Sequence, residues 1–90
     1  MATLIYGRRR LGKRFSEGAR LLWSAMLRAG LSQEALRVEL RRPKGVIGRW
    51  LMGERLPDGE SRGRLFKRFG IQPQAWDQKP TKPFSIETAA

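Results

Sequence analysis

Between residues 15 and 77 the apolar positions fall into short stripes with helical spacing. Phe15, Ala19, Leu22, Met26 and Ala29 recur at intervals of four, three, four and three, with Leu21 and Ala25 widening the stripe, which is one face of an amphipathic helix. Ser16 offers a side-chain acceptor for the first turn, and Gly30 takes the left-handed stop. A second, shorter helix opens at Ser32, carries Glu34 in a first turn where negative charge is favoured, and turns Leu36 and Leu40 to one face. Arg41-Arg42-Pro43 ends it, because proline is tolerated in a first turn and not in an interior. Ile47, Trp50 and Leu51 form a third stripe, and Gly53 to Gly59, with Pro57-Asp58-Gly59 at its centre, reads as a turn. A fourth helix runs from about Ser61 to Phe69 with Leu65, Phe66 and Phe69 inward and Gly70 as its stop. Ile71, Ala75 and Trp76 fit a last helical turn opened by Pro73. No segment alternates cleanly at period two, so the pattern predicts an all-α fold, a compact bundle of about five short helices.

Composition divides the chain into three zones: a basic N-terminal arm over 1–14, a helical domain over 15–77 and a flexible tail over 78–90. The arm holds Arg8, Arg9, Arg10, Lys13 and Arg14, with Gly7 and Gly12 breaking any helix. The tail, QKPTKPFSIETAA, has two prolines and few core-forming residues, which predicts an extended or disordered segment. Three Trp, one Tyr and four Phe supply enough apolar mass for one small core.

Charge changes the picture more than composition does. Nineteen Lys and Arg against eight Asp and Glu leave a net charge of +11 on 90 residues, which points to a polyanionic partner. The chain has no His and no Cys, so it lacks an imidazole base, a thiolate nucleophile, a disulfide framework and an ordinary zinc site. Its acid pairs offer no general acid and base: Glu34 and Glu39 lie about 140° apart around a helix, and Asp58 and Glu60 sit in a turn. The reading is of a protein that is not an enzyme and carries no cofactor or metal. No apolar run approaches a membrane span. MATLIYGRRR puts its charge after its short apolar stretch, the reverse of a secretory signal. A cytoplasmic, nucleoid-associated location is expected, with no membrane partner.

Three groups of residues then align with a known pattern. Gly30-Leu31-Ser32-Gln33-Glu34-Ala35-Leu36, Val46-Ile47-Gly48-Arg49-Trp50 and Gly53-Glu54-Arg55-Leu56-Pro57 resemble the Cro/cI-type (XRE-like) helix-turn-helix family. The register continues without a gap through Leu65, Phe69-Gly70-Ile71 and Trp76, so the resemblance covers about residues 18–76. It implies a lambda-repressor-like domain that binds double-stranded DNA as a transcription regulator of bacterial or phage origin, usually as a symmetric dimer. The recognition helix would span about 43–52 and enter the major groove. Carried over by position, Gln33 would contact a phosphate, Lys44, Gly45 and Arg49 fall where the family reads bases, and Arg55 matches a backbone-contacting position. Lys44 and Arg49 carry donors suited to guanine O6 and N7, Gly45 has no side chain to read with, and the Val46 methyls suit thymine. Arg41, Arg42, the arm arginines Arg8, Arg9 and Arg10, and Arg14 would add phosphate contacts.

The turn departs from the family. Arg37, Arg41 and Arg42 stand where small or apolar residues are usual, and a guanidinium is not buried there without a partner. Either the helix pair opens or the arginine stems lie along the surface with their heads in water. Gly45 and Gly48 weaken the third helix, which predicts partial order until DNA binds. Gly59 and Arg62 predict a loose start to the fourth.

Two features keep alternatives open. The arm is either a flexible strand that tracks phosphates or enters a minor groove, or an unstructured solvated start. Trp23 and Leu27 lie off the main stripe of the first helix and form an apolar patch, which is either a dimer or partner contact or is covered by the last helix or the tail. The alternative function is a protein-interaction module, an antitoxin, co-regulator or RNA-polymerase-binding subunit, with largely non-specific binding to the DNA backbone.

Overall fold

The computed structural model describes the backbone of residues 5, 6, 9 and 10 and the whole of residues 11–82 and 84. The body is helical: α1 (Glu17–Ala29), α2 (Gln33–Leu40), α3 (Val46–Met52) and α4 (Gly59–Phe69), followed by a 3-10 turn over Pro73–Asp77. Four α-helices therefore form, and the expected fifth tightens into 3-10 geometry. Among the described residues no helix is long and apolar enough to cross a membrane.

Local chemistry sets the helix ends. Ser16 Oγ accepts from Ala19 N at 3.3 Å, Ser32 Oγ from Ala35 N at 3.0 Å and the Asp58 carboxylate from Ser61 N at 2.8 Å, so the starts of α1, α2 and α4 each satisfy an N–H left without a helical acceptor. Asp58 brings the start of α4 forward to Gly59, which corrects the loose first turn expected from Gly59. The expected third helix over 43–52 shortens to Val46–Met52, because Gly45 adopts a left-handed φ of 85° and cannot continue a right-handed helix. Arg41 ends α2 in the left-handed region at φ 55°, the one non-glycine residue at positive φ among those described.

α1 packs on α3 and on the 3-10 turn, α2 packs on α3, and α4 packs on the 3-10 turn. Ala19, Leu22, Leu36, Ile47, Trp50, Leu51, Leu65 and Trp76 meet in one buried cluster. Gly18 on α1 lies directly under Trp76, and any Cβ there would overlap the indole. Phe66, expected inward, is 43% exposed; Leu65 and Phe69 take the inward positions of α4.

Both flanking zones differ from their expected form. Ile5–Tyr6 pairs antiparallel with Arg9–Arg10, so a short ladder stands where an unstructured arm was predicted; two paired positions are too few to register as alternation in the sequence. The arm then docks on the end of α3. Gly12 N–H donates to Met52 O at 2.6 Å and Arg14 N–H to Gly53 O at 3.0 Å, an approach that requires glycine at 12 because a Cβ would lie 2.8 Å from the Gly53 carbonyl carbon. Gly12 is thus a contact residue as well as a helix breaker.

The tail predicted as disordered is held along α1 as far as it is described. Glu17 N–H donates to Gln78 O at 2.9 Å, Thr81 N–H donates to Glu17 Oε1 at 2.8 Å, and Phe84 is buried between Phe15 and Trp23, with ring centroids at 5.2 and 5.9 Å. One aromatic residue with a buried seat outweighs the disorder signalled by the surrounding Pro and Lys.

Candidate nucleic-acid interface

Seven residues make α3 a short platform, and its surface is set by what is missing as much as by what is present. Val46, Ile47, Trp50 and Leu51 point into the core, leaving Gly45, Gly48 and Arg49 along the outer side. Gln33, the first residue of α2, lies over Gly48: a Cβ on Gly48 would sit 3.0 Å from Gln33 Oε1. Gln33, Lys44, Gly45 and Gly48 line one hollow, and Gln33, Gly45, Gly48 and Arg49 line a second that also reaches Trp23 and Glu54. The residues singled out by position in the sequence are therefore brought to one surface, with the exceptions below.

Val46 is one. It is only 9% exposed and packs in the core, and what surface it keeps lies in the groove with Arg14, Arg42 and Trp50, not on the outer side of α3 with Gly48 and Arg49. Lys44 precedes α3 in the turn and is exposed. Arg55 follows α3 and shares a groove with Arg14, Arg42 and Val46 on its other side. Arg41 is exposed on the α2–α3 turn. Arg9 and Arg10 are described by backbone alone, and Arg8 lies outside the described residues.

The cations divide into two populations. Arg20 pairs with Glu17, Arg37 with Glu34, Arg42 with Glu60 at 2.6 Å and Asp58 at 3.6 Å, Arg62 with Asp77 at 2.8 Å, Arg64 with Glu60 at 3.2 Å and Arg68 with Glu39 at 3.0 Å. Hydrogen bonds from Arg20 hold the Glu17 carboxyl down from its usual 4.5 to about 2, against the opposing effect of burial. Glu34, Glu60 and Asp77 are lowered chiefly by hydrogen bonds from Arg37, Arg42 and Arg62, and Asp58 by the Ser61 N–H. These carboxylates stay ionised at neutral pH and act as built-in counterions for α1, α2 and α4. Among the described residues, Arg14, Arg41, Lys44, Arg49 and Arg55 have no carboxylate within salt-bridge distance, and neither do Lys13, Arg28, Lys67, Lys79 and Lys82. The first five lie on α3 or on the segments that flank it; the others are spread over the arm, α1, α4 and the tail.

No family model, curated protein or solved structure matches this chain.

Two sequence expectations are resolved at this surface. The arginine-rich turn does not put every head in water: Arg37 caps the turn by donating to Arg42 O at 3.2 Å, and Arg42 is mostly buried against Asp58 and Glu60. Arg42 is thereby tied to α4 as a structural ion pair, and its two partners came from the turn that the linear reading weighed only for catalysis. For Trp23, cover by the tail is the alternative that forms. The residue is 8% exposed, donates its Nε1–H to Leu51 O at 3.0 Å and lies under Phe84, which leaves Leu27, at 42% exposure, as the only open member of the pair. The residues missed were Ser61, buried beside Arg42 in the groove, and Trp50, whose indole lines the same groove. Their signal was not in spacing, because the groove joins α3 to the start of α4 across a loop.

Proposed function

We propose that this chain is a double-stranded DNA-binding regulator of transcription of the Cro/cI type, of bacterial or phage origin, with α3 and the turn before it facing the major groove. The single observation that carries the reading is the clustering of unpaired charge. Arg14, Arg41, Lys44, Arg49 and Arg55 stand unpaired around α3, while carboxylates hold Arg20, Arg37, Arg42, Arg62, Arg64 and Arg68 on the rest of the body. A surface that releases counterions from a phosphate backbone needs that arrangement, and a merely soluble basic protein does not. Lys44 and Arg49 read base edges; Gln33, Arg14, Arg41 and Arg55 set the register on the backbone. Gly45, with nothing within 4 Å of the place a Cβ would occupy, lets the start of α3 come close to its partner. A symmetric dimer on a palindromic site and a location with the chromosome follow from the same reading.

The test is selection from a random duplex library at two salt concentrations, with a Lys44→Ala/Arg49→Ala variant alongside. Neutralising about six to eight phosphates makes log K fall by roughly 5 to 7 per tenfold rise in salt. A recovered motif that the double variant loses, with weak salt-sensitive binding retained, supports base reading by α3. Tight but featureless binding, equal in both proteins, overturns it.

A second reading, an interaction module that uses DNA only as a backbone, draws on Leu27, Val38 and Phe66, the large apolar side chains left exposed among the described residues. A gain in duplex affinity on adding a partner protein separates it from the first.

A further inference from the structure

Buried polar atoms without a hydrogen-bond partner are scarce in folded proteins, and each one marks a place where a partner belongs. Among the described residues there are three: Arg42 Nε, Ser61 Oγ and Trp76 Nε1. Trp76 is packed on Gly18 of α1. The other two come from different elements, the α2–α3 link and α4, and both residues line one groove.

That groove encloses about 470 Å³ between α3, the loop after it and the start of α4. Arg14 and Arg55 are exposed at its edge, and Val46 and Trp50 form an apolar wall. The Arg42 guanidinium is already oriented, since its terminal nitrogens are held by Glu60 and Asp58. Its Nε–H is the donor left over, and the Ser61 hydroxyl is a second. The one carboxylate in the lining, Asp58, is itself engaged by the Ser61 N–H and Arg42. Two sealed donors at the floor and two unpaired guanidinium groups at the edge call for an anion with several acceptor oxygens not confined to one plane. A phosphoryl group has that form and a carboxylate does not.

We propose that this groove is a seat for a phosphoryl oxyanion, gripped by Arg14 and Arg55 and received by Arg42 Nε–H and Ser61 Oγ–H, with the attached sugar or organic group against Val46 and Trp50. The seat extends the DNA-binding reading but does not depend on it, because a duplex backbone and a free phosphate ester present the same chemistry. Its floor is closed in the empty state, so a small shift of the Arg42 side chain accompanies entry.

The side-chain Nε–Hε resonance of Arg42, assigned by its disappearance in Arg42→Lys, reports the event directly. Inorganic phosphate is titrated into the full chain against chloride at matched ionic strength, followed by a short duplex with and without phosphate. The expected result is a phosphate-specific movement of the Arg42 signal at about millimolar concentration, weakened roughly three- to tenfold in Arg55→Ala and in Ser61→Ala. Ser61→Ala removes a hydroxyl that has no partner in the empty protein, so its thermal midpoint stays level or rises while phosphate binding weakens, a split that a purely structural serine would not produce. If the duplex moves the same signal and phosphate competes with it, the natural source is the DNA backbone. If phosphate moves the signal and the duplex does not, the source is a free phosphorylated ligand; the seat stands, and a duplex that fails to bind at all overturns only the regulator reading. A silent Arg42 signal with both probes, or an equal response to chloride, overturns the seat.

Discussion

The carboxamide of Gln33 lies across Gly48, with Oε1 3.0 Å from the point a Cβ would occupy. The first residue of α2 is thus seated on α3 by the absence of a side chain. Gly48→Ala restores helix propensity worth about 1 kcal/mol, and the exposed, flexible amide can swing aside. The thermal midpoint should therefore rise by roughly 4–8 °C, while duplex affinity falls several-fold because Gln33 is displaced. Calorimetry and fluorescence anisotropy on one preparation check both. A variant that is more stable and binds equally well removes Gln33 from the interface.

Arg41 holds a left-handed φ of 55° where glycine carries no steric penalty. Arg41→Gly relieves about 1 kcal/mol of that strain and removes one cation from the turn. The expected outcome is a protein no less stable, with a salt dependence of duplex binding about one unit shallower. If the slope is unchanged, the guanidinium does not meet a phosphate.

Arg49 on α3 and Arg55 in the loop after it lie six residues apart yet should fail differently. Arg49→Ala costs about 1–3 kcal/mol on the preferred site and little on a scrambled one, whereas Arg55→Ala weakens both alike. Parallel titrations on the two duplexes make the distinction. Identical ratios for the two variants would sink the division between base and backbone contacts.

Phe84 seals Trp23 and Phe15 from the tail side. Phe84→Ala should cost about 3 kcal/mol in urea unfolding and shift the native tryptophan emission to the red, since Trp23 gains water. An unchanged midpoint and spectrum would mean that the tail does not lie on α1 in solution.

Glu17 ties α1 to Thr81 of the tail while Arg20 lowers its carboxyl from 4.5 to about 2. A carboxyl whose folded value lies below its unfolded value stabilises the native state in full above the unfolded value, and that contribution drains away as pH falls through the folded one. Stability should thus decline from about pH 4.5 toward 2. Glu17→Gln should be less stable at neutral pH and show a shallower decline over that window, followed by urea midpoints at several pH values. Equal slopes for the two proteins would assign the acid sensitivity to the other paired carboxylates.

The sequence by itself determined the helices that are local events. Ser16, Ser32, Gly30 and Gly70 act within a turn of their own backbone, and the stripes from Phe15 to Trp76 need only the helical period to be read. It also determined the excess of cations and the positions of Gln33, Lys44 and Arg49 relative to the predicted turn. Tertiary structure decided which cations remain free, because the partners of Arg42 and Arg62 lie 16 to 18 and 15 residues away and no period connects them. It decided that Val46 faces the core, that Phe84 closes over Trp23, and that the arm meets α3 through Gly12. Each is a contact between segments whose spacing along the chain carries no geometry, so only the packed molecule specifies them.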